Sequence, residues 1–275
     1  MEEGKIYYSY NGNLEDEETL EKRAIPKNAV YEVMKMVQAK PLFFEDHMER
    51  FMNSIKKSGY AMTLSNEEIL TEMILLTRVN LNKNTNIQIV YIPVENTDDY
   101  DFIVCFTDSL SATDEQKNQG AGLETVVIER HNPAVKTVGS SYKGQIKTQS
   151  KYEDTFEILL VNKEGYITEG SRSNVFFVKN EKVITTPAQN VLLGVTRKYI
   201  LELCEKNQIE VEYRDISEEE VFEMDGAFLT GTTVDVTPII KVNNKSFGEI
   251  DKKIITLKNQ YEELMREYLE NFEAN

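Results

Sequence analysis

Cysteine, histidine and basic side chains are all scarce in this sequence, and each shortage excludes a class of protein. The two cysteines, Cys105 inside the apolar run FIVCF and Cys204 in LELCEK, have no CxxC spacing, so neither a disulfide framework nor a thiolate zinc site is expected. Both read as packing residues. Two histidines, His47 and His131, are too few for a histidine-rich metal centre, and no structural metal is predicted. Thirty-one basic against 47 acidic residues leave a formal charge of −16, a field that repels nucleic acid and anionic membrane surfaces. No apolar run reaches the roughly 20 residues that a membrane helix takes, and the opening MEEGK lacks the basic and apolar regions of a leader. The expectation is a cytoplasmic protein with neither nucleic acid nor membrane as partner. Internal repeats and low-complexity tracts are also lacking.

What is present is 40% hydrophobic residues in 275, enough to bury one large core or two small ones. Asn11-Gly12 marks a tight turn ahead of the acidic, solvent-facing EDEETLEKR. VYEVMKMV (30–37) and PLFF (41–44) read as a hairpin, and Asp46 stands where an N-cap belongs before a helix over 47–58, with Gly59 at its C′ position. Ser65 and Glu68 form a capping-box pair before ILTEMILL. IQIVYIPV and DFIVCFTD follow as paired strands, and then SLSATDEQKNQGAG loses periodicity and apolar content, as a linker does. Beyond it LETVVIE, FEILLV, YITEG, SNVFFV and KVITT are closely spaced strands. A helix over 196–206, the strand IEVEYR, a short helix in SEEEVFEM, the strand GAFLT and a hairpin around VNNKS come next. Ile250, Ile254, Leu257, Tyr261, Leu264 and Tyr268 recur at spacings of four and three and predict a final helix with one apolar seam. The prediction is an α+β fold of two subdomains, 1–108 and 122–275, joined by a linker at 109–121.

Several polar groups sit at strand ends or helix starts. In VLLGVTR, a glycine precedes a helix whose first N–H groups, including those of Val195 and Thr196, have no intrahelical partner. Such a start suits a phosphate, with the Thr196 hydroxyl as a further donor, and equally suits a plain strand-to-helix turn. FLTGTT repeats the pattern with Thr230, Thr232 and Thr233 around Gly231. Lys136 follows NPAV and precedes a Gly-Ser-Ser loop; a lysine is ordinarily a solvated surface residue, but in a partly desolvated pocket it becomes a nucleophile able to form a Schiff base. EGYITEGSRSNVFF places Glu169, Ser171, Arg172, Ser173 and Asn174 where a buried strand would want apolar groups. A phosphate site, an amine and a carboxylate able to pair with a ring nitrogen together describe a site for pyridoxal phosphate.

With VYEVMKM, PLFFEDHMERFMNSIKKSG, NPAVK, NKEGYITEGSRSNVFFV, VLLGVTR and FLTGTTVDVTPI in that order, the chain resembles the fold-type IV pyridoxal-phosphate enzymes. These include the branched-chain and D-amino-acid aminotransferases and aminodeoxychorismate lyase. The resemblance implies pyridoxal 5'-phosphate as cofactor and Lys136 as the Schiff-base lysine and proton carrier. It implies Glu169 as the partner of the pyridine nitrogen, with Ser171, Arg172 and Asn174 as its polar shell. Arg50, Val195 through its N–H, Thr196 and Thr232 are implied phosphate ligands, and Tyr31, Tyr142 and Thr233 further substrate or cofactor contacts. The implied activity is transfer of an amino group between an amino acid and a 2-oxo acid, by a homodimer. The rivals are pyruvate elimination by a lyase and a member without turnover.

The sequence departs from the family pattern in three places. The run after Lys136 is Thr137-Val138-Gly139-Ser140-Ser141-Tyr142, without the asparagine of many relatives, and Lys143 is a second amine nearby. VYEV resembles the D-amino-acid enzymes, yet IQIVYIPVENTDDYD holds neither their arginine and histidine nor the branched-chain enzymes' tyrosine-glycine-arginine. KRAIPKN stands in place of the usual Asp and Gly before the first long strand.

Overall fold

A computed structural model describes residues 5–107, 111–128, 134–140 and 155–273. By compactness the chain divides into two units, Met1–Ser109 with Val135–Ser140 and Met265–Asn275, and Leu110–Ala134 with Ser141–Leu264. Both mix helix and sheet.

The first unit is built on a sheet of six strands, β1 (Tyr7–Tyr10), β2 (Asn13–Asp16), β3 (Val30–Val37), β4 (Lys40–Pro41), β5 (Thr85–Pro93) and β6 (Tyr100–Phe106), in the order β2-β1-β6-β5-β3-β4. Every pairing in it is antiparallel. Asn11 and Gly12 both take positive φ, 48° and 77°, the left-handed pair that a two-residue turn between β1 and β2 needs. The acidic stretch that follows ends β2 and forms the short helix α1 (Glu17–Leu20).

Helices α2 (Phe44–Lys57) and α3 (Asn66–Val79) lay apolar stripes on one face of this sheet. Val30, Met34, Ile87, Ile89 and Tyr91 meet Met48, Phe51, Ile55, Ile69 and Met73 there, all at most 1% exposed. Each such side chain contributes about 1.5–3 kcal/mol of burial. The Ser65–Glu68 capping box starts α3 as expected. The start of α2 differs from expectation: its N-cap is Phe43, left-handed at φ 52°, and Asp46 lies inside the helix. The cause is distant in sequence, because the Phe44 N–H donates to the Tyr268 hydroxyl at 2.8 Å and the Phe43 ring packs on that tyrosine at 5.0 Å. The hairpin partner of β3 is correspondingly short, and Phe43 and Phe44 belong to the helix start.

The second unit carries α4 (Asp114–Gln119) and a ten-stranded sheet. Its strands are β7 (Ala121–Val127), β8 (Glu157–Val161), β9 (Tyr166–Gly170), β10 (Asn174–Lys179), β11 (Lys182–Thr185), β12 (Val211–Tyr213), β13 (Ile216–Ser217), β14 (Gly226–Gly231), β15 (Asp235–Val242) and β16 (Lys245–Ser246). They run in the order β12-β11-β10-β14-β15-β7-β8-β9-β13, with β16 on β15. Leu123, Leu159, Ile167, Val175, Phe177, Ala227 and Leu229 form its core. The stretch expected as featureless linker thus holds α4, started by a Thr113–Gln116 capping box and burying none of its own residues. SEEEVFEM forms a single 3-10 turn, Glu220–Glu223. Helix α5 (Val195–Lys206) follows Gly194, and α6 (Lys252–Asn271) buries Ile254, Leu257 and Tyr261 of the predicted seam. Among the described residues no helix is long and apolar enough to cross a membrane.

Candidate active site

Strand alternation puts Glu32 on the same face of β3 as Val30 and Met34, under α2. A carboxylate there is fully buried, and a buried charge demands partners. Helix α2 supplies two of them from positions three apart, His47 and Arg50. Arg50 donates from Nε to Oε2 at 2.8 Å and from Nη2 to Oε1 at 2.7 Å, the fork geometry that suits a guanidinium to a carboxylate. His47 Nδ1 lies 3.2 Å from Oε1.

The third partner is Lys136. Its segment is tied along β3 by Tyr31 N–H to the Lys136 carbonyl at 3.1 Å, by Val138 N–H to the Ala29 carbonyl at 2.9 Å, and by a bridge between Val30 and Thr137. From there Lys136 Nζ donates to Glu32 Oε1 at 3.0 Å and lies 5.1 Å from the Tyr31 ring centre. The amine therefore rests on a buried carboxylate and an aromatic face rather than in a purely apolar pocket. Burial alone would raise the Glu32 pKa, but the charges of Arg50 and Lys136 and the bond from His47 hold it well below the usual carboxylate range. Burial pushes His47 down, against the pull of Glu32.

In the second unit Glu169, on β9, is 2% exposed and accepts the Leu192 N–H at 3.0 Å. The expectation that Ser171 and Arg172 surround Glu169 needs correction. Both belong to Glu157, on the neighbouring strand β8: Ser171 Oγ donates at 2.6 Å, Ser173 Oγ at 3.3 Å, and Arg172 Nε lies 3.2 Å away. The reason is register, since Leu159 faces Gly170 and carries residue 157 alongside the turn that follows β9. Asn174 does stand with Glu169, because its side-chain amide donates to the Leu192 carbonyl at 2.8 Å. Glu169 and Asn174 thereby hold both polar groups of one main-chain residue.

Two residues after Leu192 comes Gly194, the N-cap of α5, which provides no side-chain capping bond. A Cβ at Gly194 would collide with Asn174 Oδ1, so the close approach of this turn to β10 requires glycine. Thr196 is 2% exposed, with its hydroxyl 3.2 Å from that of Tyr261. Thr230, cross-strand neighbour of Asn174, is 1% exposed, and its hydroxyl has no hydrogen-bond partner among the described residues. A helix start without a side-chain cap, beside a buried hydroxyl without a partner, fits a phosphate-bearing group. Val195 is buried at this start, and Thr232 and Thr233 lie in the turn after β14, where the Thr233 carbonyl accepts the Ala112 N–H at 3.1 Å.

The first unit thus gathers Tyr31, Arg50 and Lys136, and the second holds Glu169, Val195, Thr196, Thr232 and Thr233. Tyr142, Lys143 and His131 lie outside the described residues. Arg50, expected on a phosphate, places two of its nitrogens on Glu32. Sequence reasoning missed Glu32, His47 as its partner, Glu157 and Tyr261. The signal for Glu32 was present: one carboxylate among VYEVMKMV, at a register that alternation sends to the core. Glu157 offered the same signal beside ILLV.

The amino-transferase class IV family model matches residues 29–242. A putative branched-chain-amino-acid aminotransferase of Methanocaldococcus jannaschii is 26% identical over 243 residues, covering 82% of this chain and 84% of the relative. D-alanine aminotransferase of Bacillus licheniformis is 23% identical over 230 residues, covering 80% and 81%. Among solved structures, the branched-chain amino acid aminotransferase of Escherichia coli superposes with a TM-score of 0.82 at 21% identity, over 95% of both chains. The T.th. branched-chain amino acid aminotransferase, complexed with N-(5'-phosphopyridoxyl)-L-glutamate, superposes with a TM-score of 0.81 at 20% identity, over 95% of this chain and 94% of the other.

Proposed function

The chain belongs to the class IV aminotransferase family, and from that premise we propose that it moves an amino group between an amino acid and a 2-oxo acid with pyridoxal 5'-phosphate held by Lys136. The observation that carries this reading is the Lys136 amine set 3.0 Å from a carboxylate that is itself fully buried. A solvated surface lysine has no such setting.

In this reading Glu32 holds the Lys136 side chain in one rotamer while its charge is shared with Arg50 and His47. A carboxylate with so depressed a pKa is a poor base, so the proton that leaves the Lys136 ammonium goes to solvent or substrate rather than to Glu32. With the cofactor bound, the free Lys136 amine would hold it through its carbonyl carbon and, once substrate has displaced it, would carry a proton to and from the substrate Cα. When bound, the cofactor supplies an electron sink for the pair left at Cα. Glu169, buried and anchored on Leu192, keeps a positive charge on the ring nitrogen. The N–H groups of Val195 and Thr196 and the hydroxyls of Thr196 and Thr232 receive the phosphate, with Arg50 as a further cation. Tyr31 bounds the substrate side of Lys136, and Thr233 completes the contacts. We assign the working form to a homodimer in the cytoplasm, and sedimentation of the purified protein checks the first of these.

The decisive experiment is an absorbance spectrum of the protein saturated with pyridoxal 5'-phosphate, for wild type and Lys136→Ala, before and after a pool of amino acids. A visible band that the amino acids bleach, and that the variant lacks, is the expected result. A colourless wild type would overturn the cofactor assignment, and pyruvate released without a 2-oxo acceptor would make the enzyme a lyase.

A further inference from the structure

The phosphate reading leaves one buried residue without a role. Tyr261, on α6, is 1% exposed, and its hydroxyl lies 3.2 Å from that of Thr196 in the first turn of α5. It is also placed by the other arm of the same region. Asp235, just beyond the Thr232-Thr233 turn, is 5% exposed at a left-handed φ of 48° and pairs with Lys117 at 2.7 Å. Burial, and then the charge of Asp235, push the Tyr261 hydroxyl far above its ordinary pKa, so it stays protonated at every working pH.

The direction of the bond between the two hydroxyls follows from proton counting. A hydroxyl has one proton to give, and the oxygens of a phosphate ester anion accept. If Thr196 spends its proton on the anion, its oxygen can meet Tyr261 only as an acceptor, so Tyr261 must be the donor. That the first turn of α5 takes an anion is supported independently by Thr230, whose fully buried hydroxyl lacks a partner among the described residues. Thr230 stands across from Asn174, whose Oδ1 occupies the space that a Cβ at Gly194 would need.

We infer that Tyr261 is a positioning residue of the phosphate site: its hydroxyl donates to Thr196 Oγ and so turns the Thr196 proton toward the anion. The inference rests on the cofactor reading above and assigns to the C-terminal helix a part in holding the phosphate end alone. The ring end of the cofactor lies outside the reach of this hydroxyl pair.

The experiment titrates the protein with pyridoxal 5'-phosphate and with pyridoxal, which lacks the phosphate, and follows the change in absorbance on binding. For Tyr261→Phe the affinity for pyridoxal 5'-phosphate falls about fivefold, the worth of one hydrogen bond, while that for pyridoxal is unchanged. Thr196→Val shows the same phosphate-dependent loss, and adding Tyr261→Phe to it produces no further loss, because the tyrosine acts only through that hydroxyl. Fluorotyrosine at position 261 keeps the donor and binds the phosphate form at least as well as wild type. It provides the readout if the phenylalanine variant does not fold. Equal weakening toward both ligands marks Tyr261 as core packing and overturns the inference, as does additivity in the double variant or wild-type affinity in Tyr261→Phe. A wild type that binds pyridoxal but gains nothing from the phosphate removes the phosphate site itself, and one that binds neither ligand removes the cofactor reading with it.

Discussion

Two buried carboxylates, Glu32 in the first unit and Glu157 in the second, are compensated in opposite ways. Each accepts the N–H of the next residue, and beyond that Glu32, which takes the Val33 N–H at 2.9 Å, is met by three nitrogenous side chains, two from α2 and one, Lys136, from a segment 104 positions away. Glu157 is met by its sequence neighbour Ile158 through the N–H at 2.8 Å, by two hydroxyls and by one arginine, the last three all from the single turn 171–173. The second arrangement closes on itself and asks nothing more of its members. The first includes an amine whose bond to the carboxylate can be exchanged for another, which is what a group that must react requires. Burial of charge therefore does not by itself mark a reactive site. The origin and exchangeability of the compensating groups separate the two.

The sharpest test of that difference is on turnover. Lys136→Ala should lower the rate by about a thousandfold or more, the scale of a positioned proton carrier, whereas Arg172→Ala should leave it within a few-fold of wild type. Comparable losses in the two would erase the distinction. Next in size is stability: Glu32→Gln strands the charges of Arg50 and Lys136 in the interior and should cost about 3–5 kcal/mol in denaturant unfolding. Glu157→Gln keeps an acceptor for the serines and should cost less, about 1–3 kcal/mol; the reverse order would contradict the assignment of partners.

The smallest effect is in pH dependence. His47 has a lowered pKa in the fold, so it stays neutral where the unfolded chain takes up a proton, and stability should decline as pH falls through 6.5. His47→Gln should flatten that limb of a melting-temperature profile. Glu32, with its depressed pKa, contributes fully above the unfolded value of 4.5 and is lost only as pH falls further, through its folded value, so its limb lies at more acid pH and should survive in the His47 variant.

Local chemistry made much of the fold legible. Asn11-Gly12, the Ser65–Glu68 box and the alternating strands of both sheets carry their conformations in adjacent residues. What failed to show was decided by distant residues or by lack of apolar content. Phe43 became the N-cap of α2 because Tyr268 accepts the next N–H, and Asp46 could not announce that. Helix α4 buries nothing, so no periodicity marked it. In the candidate site Lys136, Arg50 and Glu169 were readable as motifs, and Asn174, expected beside Glu169, shares Leu192 with it. Ser171 and Arg172 were assigned to the wrong carboxylate, because the pairing of β8 with β9, unknown from the chain alone, decides which acid they reach.

The grip of Glu169 and Asn174 on Leu192 has a mechanical meaning. Leu192 stands two residues ahead of the glycine that opens α5, and its N–H and carbonyl are each held by a side chain, Glu169 and Asn174. If Glu169 meets the ring of a cofactor and α5 meets its phosphate, this short peptide works as a gauge block between them. It fixes the length of molecule that can be seated at both ends together, and a longer or shorter phosphate ester would engage one end and miss the other.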